Sequence, residues 1–276
     1  MNKVQQPSAQ TAALPDVMRG RRQLGEKDRF GFACHSQLPC FNQCCADVNI
    51  MLTPVDVLRL ARKLGMSTTE FLATHTQRPI TKDLHLPVVM LKMREEAARR
   101  CPFVAEHGCT VYADRPWACR MYPVGMGLPP ARAGVDPEPV YFLFEDDFCQ
   151  GHTADKTWTV AAWRADQSIP EREEVEQGFR DIVGHPWFIG GARQLDPRKI
   201  ELFYMAAFDL DTFRRFVFDS TFLKRFDVES ALVEKLKVSD EELLRFGFRW
   251  LRYALFGEPI MTVRPDAPAP RKVEKA

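Results

Sequence analysis

Residues 32–45, FACHSQLPCFNQCC, carry four cysteines within twelve positions: Cys34, Cys40, Cys44 and Cys45. Residues 101–123, CPFVAEHGCTVYADRPWACRMYP, contain three more, and the eighth cysteine follows at position 149. Zinc and iron–sulfur sites take four thiolates, usually from short-spaced groups that the fold brings together. The chain therefore has enough thiols for one such site or for two.

All eight cysteines are candidate ligands, the later four being Cys101, Cys109, Cys119 and Cys149. Neighbouring side chains of an extended backbone leave on opposite faces. One member of the adjacent pair Cys44 and Cys45 is therefore expected to serve a second site or to remain a free thiol. For Cys149, which stands apart, a buried apolar role is an equal alternative.

Composition places the protein among globular chains and limits its partners. The chain has 276 residues, of which 45% are hydrophobic and 27% charged, with 38 Lys and Arg against 37 Asp and Glu. Because the net charge is only +1, no field of the whole molecule would attract nucleic acid or an anionic membrane. We expect neither partner.

The absence of export signals predicts the cytoplasm. No apolar run approaches the roughly 20 residues of a transmembrane helix, and residues 1–20 lack the apolar stretch of a secretory signal. Thiols stay reduced in the cytoplasm, so metal binding is favoured over a disulfide framework.

Four thiolates around a divalent metal leave a negative charge that donors and cations must stabilise. Arg115 and Arg120 lie beside the second cysteine group and are predicted to contact the cofactor. The alternative is that both are ordinary surface arginines.

These motifs together resemble the YkgJ family, the CxxCxxCC proteins described as zinc- or iron-chelating. The resemblance covers roughly residues 29–163 and rests on several segments in the family order: Phe32-Ala33-Cys34, Cys40, Cys44-Cys45, Leu52-Thr53-Pro54, Asp56, residues 101–104, 109–112 and 115–123, and Cys149-Gln150-Gly151-His152. The first two cysteine intervals, with five and three intervening residues, are longer than in the family repeat. The resemblance implies metal binding and leaves the metal open.

The cysteine cluster is also distantly similar to that of flagellin lysine methylases, which implies an iron–sulfur cofactor and favours it over zinc. The leading hypothesis is an iron–sulfur cluster used in electron transfer or in a modification reaction. Its ligands would be Cys40, Cys44, Cys101 and Cys109 or neighbouring thiols. The alternative is a structural zinc module that acts as a protein-interaction adaptor. No motif names a substrate, and whether the protein is an enzyme stays open.

The predicted fold is α+β and mainly α, with a small cysteine-rich hairpin and loop core packed on helices and a helical C-terminal half. Four segments are expected: a flexible tail over residues 1–28, a metal-binding domain over 29–165, a helical region over 166–258 and a second tail over 259–276.

Local signals define several elements. Thr53, Pro54 and Asp56 predict the start of a helix that ends at Gly65, and Ser239 predicts the start of a final helix that ends at Gly257.

Residues 101–112, with Gly108 at the turn, predict a hairpin that holds Cys101 and Cys109 side by side. Residues 197–217 predict one long helix, and residues 124–139 predict a loop.

The final helix is apolar on nearly every side, which is typical of a buried helix. We therefore expect it to pack in a core, with a surface for an unknown protein partner on the C-terminal helices as the alternative.

Overall fold

The computed structural model describes residues 20–79, 86–127, 138–188 and 194–267. The helices of these residues are α1 (Pro54–Leu64), α2 (Thr68–His75), α3 (Trp117–Met121), α4 (Val160–Asp166), α5 (Ile169–Val175), α6 (Gln177–Val183), α7 (Pro197–Ala207), α8 (Leu210–Phe218), α9 (Phe222–Arg225), α10 (Ser230–Val238) and α11 (Asp240–Phe256). The strands are β1 (Arg22–Leu24), β2 (Arg29–Gly31), β3 (Met51–Leu52), β4 (Thr76–Gln77), β5 (Val89–Leu91), β6 (Val104–Ala105), β7 (Gly108–Cys109), β8 (Val124–Gly127), β9 (Val140–Leu143), β10 (Thr157–Thr159), β11 (Phe226–Asp227) and β12 (Thr262–Val263). The predicted α+β fold with mainly α structure is confirmed.

The chain divides by its contacts into two compact units. The cysteine unit contains the described residues of 1–50 and 92–172, and the helical unit contains those of 51–91 and 173–276. All eight cysteines belong to the cysteine unit. These units divide the chain differently from the predicted segments, because residues 51–91 group with the C-terminal helices. The four-segment organisation stays a prediction.

Three small antiparallel sheets support the cysteine unit: β1-β9-β8, β10-β2 and β6-β7. The apolar sides of the first two sheets meet in one core that includes Phe30, Phe32, Tyr141 and Trp163. The indole of Trp163 donates to the carbonyl of Met121 over 3.0 Å, so α4 is fixed to the end of α3. This core carries the segments on which the cysteines lie.

The helical unit is built around α11, which contacts α6, α7, α8 and α10. Ser239 caps α11 by accepting from the Glu242 N–H over 3.2 Å, and Gly257 ends it with a φ of 75°. Phe246, Phe248 and Trp250 are all buried. The core role expected for the final helix is therefore observed, while a partner surface on the C-terminal helices stays a prediction.

The start and end of α1 also follow the sequence signals. Thr53 accepts from the Asp56 N–H over 3.1 Å, and the Asp56 carboxylate accepts from the Thr53 N–H over 3.1 Å. Gly65 ends the helix with a φ of 67°, in the left-handed region that favours glycine.

Two local predictions are wrong. Residues 124–127 of the predicted loop form β8, which pairs with β9 from Val124↔Leu143 to Gly127↔Val140, and residues 128–137 lie outside the described residues. Strand formation there depends on a partner strand that local sequence does not reveal. The long helix predicted over 197–217 is broken into α7 and α8, because the Asp209 side chain accepts from the Thr212 N–H over 3.2 Å and starts a new helix.

The predicted tails are described only in part, since residues 1–19 and 268–276 lie outside the described residues. Where they are described, β1 pairs with β9 and β12 pairs with β11.

Candidate metal centre

The loop that carries the first cysteines is anchored at its beginning. The Ala33 N–H donates to the carbonyl of Gly151 over 3.0 Å, and the indole of Trp158 donates to the carbonyl of Phe32 over 2.9 Å. Phe32 itself is buried in the core. These contacts place Cys34 beside residues 149–151, although more than a hundred residues separate them in the chain.

The end of the loop is a tight turn. Asn42 has a left-handed backbone with a φ of 68°, a conformation that asparagine tolerates better than most residues. The Cys45 N–H then donates to the carbonyl of Asn42 over 3.1 Å, which closes a 3₁₀ turn over Gln43–Cys45. Cys44 and Cys45 therefore lie in a turn, and the extended backbone expected for this pair is not observed.

The two cysteine-rich stretches meet along a short backbone ladder. The Cys101 N–H donates to the carbonyl of Cys45 over 2.7 Å, and the Asp47 N–H donates to the carbonyl of Arg99 over 3.1 Å. Ala46 and Arg100 form an antiparallel bridge between these bonds. Thiols from distant parts of the sequence are brought together as the metal-site hypothesis requires.

The predicted hairpin is confirmed, with Val104 opposite Cys109 and Ala105 opposite Gly108. Gly108 has a φ of 117°, and a Cβ there would lie 3.2 Å from the Phe41 ring. Glycine therefore satisfies both the backbone conformation and the close approach of the first cysteine loop.

Burial and nearby backbone N–H groups shift the pKa values of the hairpin thiols in opposite directions. Burial raises the pKa of Cys101, whereas hydrogen bonds from the Phe103 and Val104 N–H groups lower it. Burial likewise raises the pKa of Cys109, and a hydrogen bond from the Val111 N–H lowers it. Such donors stabilise a thiolate, which is the form of cysteine that binds a metal.

On the other side of the site, Cys40 is buried and its Sγ accepts from the Gln150 N–H over 3.2 Å. Burial, followed by the charges of Cys44, Cys149 and Cys40, raises the pKa of Cys34 to about 11. These four thiols are therefore near neighbours. We call them the first set: Cys34, Cys40, Cys44 and Cys149.

The remaining thiols form a second neighbourhood. The pKa of Cys45 is raised by its hydrogen bond to Cys44 and by burial, and further by the charges of Cys44, Cys101 and Cys119. Cys101 in turn interacts with Cys109. We call these the second set: Cys45, Cys101, Cys109 and Cys119.

The two sets touch at the adjacent cysteines. A hydrogen bond from the Cys45 thiol lowers the pKa of Cys44 to about 7. Cys44 also interacts with Cys34, while Cys45 interacts with Cys101. The interactions therefore connect all eight predicted ligands in one region.

The two predicted arginines lie beside this region in different ways. The Arg115 guanidinium lowers the pKa of both Cys34 and Cys109, and it stacks over the Tyr112 ring at 3.9 Å. Arg120 is buried and donates to the carbonyls of Arg115 over 3.2 Å and Gln167 over 2.9 Å. Arg115 thus acts on the thiols through its charge while donating to the Tyr112 carbonyl over 2.8 Å, and Arg120 holds the backbone that carries it. Their contact with a cofactor stays a prediction.

Two further side chains reach the thiols without a signal in the sequence. The Tyr122 hydroxyl has a raised pKa because of burial and because of its hydrogen bond to Cys149. The Arg94 guanidinium lowers the pKa of Cys101. Both contacts arise from the tertiary fold, and neither residue type at its position marks it as a partner of sulfur.

The thiols do not close around a single ion. Among the residues that the structure describes, no group of three or more His, Cys, Asp or Glu side chains is arranged to hold one metal ion. The donor chemistry nevertheless fits a thiolate-bound metal group, because eight sulfurs, backbone N–H donors and guanidinium charges surround one region.

The comparison of the chain with protein families agrees with this donor set. Residues 33–150 match the family model "CxxCxxCC: Putative zinc- or iron-chelating domain". These residues, less than half of the chain, are therefore similar to that domain. The matched range contains all eight cysteines. The predicted resemblance is confirmed, and zinc or iron binding is the function that the family description indicates.

No curated protein and no solved structure matches the chain. Within the described residues, no helix is both long enough and apolar enough to cross a bilayer.

Proposed function

We propose that the CxxCxxCC domain holds an iron–sulfur centre and that the protein uses it in electron transfer or in a modification reaction in the reducing cytoplasm. When bound, such a centre supplies one-electron redox chemistry. The protein supplies the thiols, the N–H groups that stabilise their negative charge and the cation Arg115.

The observation that carries this proposal is the convergence of cysteine-bearing segments from distant parts of the chain. Zinc would need four sulfurs at about 2.3 Å from the metal, which places the sulfurs within about 4 Å of one another. An iron–sulfur cluster contains several iron and sulfide ions, so its cysteines stand farther apart than the ligands of one ion. Eight thiols on converging segments suit a group of this size.

A structural zinc module remains the second candidate, because the family description names zinc as well as iron. Zinc has no redox chemistry and its structural sites have four closed protein ligands. In that case the protein would act as an adaptor rather than as an electron carrier.

Anaerobic purification of the full chain separates the two candidates. The iron–sulfur proposal predicts a brown protein that contains iron and acid-labile sulfide in equal amounts and whose visible absorption bleaches with dithionite. The same samples should be analysed for zinc. A colourless protein with stoichiometric zinc and no sulfide would contradict the proposal and support the zinc module.

A further inference from the structure

The eight thiols outnumber what one centre uses, and backbone contacts gather most of them in two groups that meet at Cys44 and Cys45. One zinc ion or one common iron–sulfur cluster takes four cysteine ligands. We propose that the first set and the second set form two separate four-thiol metal centres, one on each side of the Cys44–Cys45 pair. The identity of the metal rests on the proposed function above, whereas the number of centres does not.

Backbone contacts join the members of the first set. The Ala33 N–H donates to the Gly151 carbonyl over 3.0 Å, and the Gln150 N–H donates to the Cys40 sulfur over 3.2 Å. Cys34 and Cys40 are thereby both held against the segment that begins at Cys149. A Cβ on Gly151 would lie 2.6 Å from the Phe32 ring and 3.0 Å from the Ala33 carbonyl oxygen, so this close approach requires glycine.

Different backbone contacts join the members of the second set. The ladder between residues 45–47 and 99–101 places Cys45 beside Cys101. The hairpin then returns Cys109 to the neighbourhood of Cys101. Cys119 lies in α3 and is assigned to the set as its fourth thiol, and its charge contributes to raising the pKa of Cys45.

The adjacent cysteines are divided between the sets. Cys44 interacts with Cys34 and with Tyr122, which hydrogen-bonds Cys149. Cys45 interacts with Cys101 and Cys119. A single peptide bond therefore joins a ligand of one centre to a ligand of the other, which places the two centres next to each other.

The charges around the thiols fit the same division. The Gln150 N–H donates to a thiol of the first set, and N–H groups near the hairpin lower the pKa values of Cys101 and Cys109 in the second. Arg115 interacts with Cys34 of the first set and Cys109 of the second. A guanidinium between two negatively charged centres would reduce their mutual repulsion.

Metal analysis of single cysteine variants tests the inference. Cys149→Ser removes a ligand of the first set and Cys109→Ser removes one of the second, while His35→Ser changes an exposed residue beside Cys34 and serves as the control. For the full chain purified anaerobically, we expect each cysteine variant to keep about half of the metal of the unchanged protein. The double variant should keep almost none, and the control should keep all of it.

A readout on the unchanged protein makes the test independent of whether a variant folds. Two adjacent paramagnetic clusters split or broaden each other's electron paramagnetic resonance signals, so the reduced protein should show this coupling. Elemental analysis should give twice the iron of one cluster per chain. Either single variant should lose the coupling.

The outcomes separate this inference from the proposed function. Loss of all metal in both folded variants, or the iron of one cluster in the unchanged protein, would overturn the two-centre inference and leave the iron–sulfur proposal intact. Two zinc ions per chain, with one lost in each variant, would contradict the iron–sulfur proposal and support the two centres.

Discussion

Burial and the charges of single residues shift the pKa values of the thiols in opposite directions. Burial raises the pKa of Cys34, Cys101 and Cys109, which opposes the thiolate form that a metal needs. Arg115 is placed to oppose this effect for two of the three thiols. Its charge should therefore matter for metal binding more than its packing does.

Replacement of Arg115 tests this role. Arg115→Gln should weaken retention of the metal against a chelator by about tenfold or more, the range found for groups that support metal ligands. The measurement is the rate of metal loss at neutral pH. Arg99→Gln is the matched control, because the Arg99 side chain is exposed and pairs with Asp47 over 3.4 Å. Equal rates in the two variants would contradict a specific role for Arg115.

Single elements position the site through close approach of backbone segments. The clearest case is the contact between residues 32–34 and 149–151, where the absence of a side chain on Gly151 lets the segments pair. Caps act in a similar way at helix ends, because a side chain replaces a missing backbone partner. At Gly151 the two backbone segments are so close that an added methyl group would push them apart.

Gly151→Ala should open the contact with residues 32–34. The new Cβ would be 2.6 Å from the Phe32 ring, so we expect a loss of about 1–3 kcal/mol from overpacking together with weaker metal binding by the first set. Thermal unfolding and metal content measure the two effects. Gly25→Ala is the control, since its Cβ would have no neighbour closer than 3.5 Å. Unchanged metal content in Gly151→Ala would contradict the placement of Cys34 beside Cys149.

At the scale of the whole molecule, the cysteine unit and the helical unit carry different chemistry. The thiols lie in the cysteine unit, whereas the helical unit contains the buried carboxyl groups of Asp56 and Glu176. Metal binding and pH should therefore affect different parts of the chain.

Removal of the metal tests whether metal binding acts mainly on the cysteine unit. Because a bound metal stabilises the folded form of the part that holds it, a chelator should increase amide hydrogen exchange mainly over residues 22–50 and 92–166. Exchange in α7 and α11 should change little. Hydrogen-exchange mass spectrometry of the loaded and stripped protein measures this, and equal changes in both units would contradict it.

The helical unit should respond to pH through Glu176. Burial and the nearby charge of Asp56 raise the pKa of Glu176 from 4.5 to about 8, while its carboxyl accepts from the Val55 N–H over 3.1 Å. The folded state binds this proton more tightly than the unfolded state. Its contribution to stability is therefore complete below pH 4.5 and is lost as pH rises through about 8.

Glu176→Gln should remove this dependence. Each pKa unit corresponds to about 1.4 kcal/mol, so the unchanged protein should lose on the order of a few kcal/mol over this range and the variant much less. Denaturant unfolding of the helical unit at pH 5 and pH 8.5 gives the comparison. Glu174→Gln, at an exposed neighbouring position, should behave like the unchanged protein. An equal loss in Glu176→Gln would show that another group titrates.

The sequence alone determined the features that depend on contacts between near neighbours. Thr53 and Ser239 cap helices by bonds to N–H groups three residues away, and Gly108 allows the turn of the hairpin. The cysteine spacing likewise indicated a metal-binding domain. Each of these signals is local, so it is readable without the fold.

Only the tertiary structure decided which thiols are neighbours. Cys34 meets Cys149 and Cys45 meets Cys101 through backbone hydrogen bonds between segments far apart in the chain, and no property of the separate segments specifies that pairing. The partner strand of β8 and the assignment of residues 51–91 to the helical unit were decided in the same way. Long-range pairing depends on the packing of the whole core, and residue type and spacing do not encode it locally.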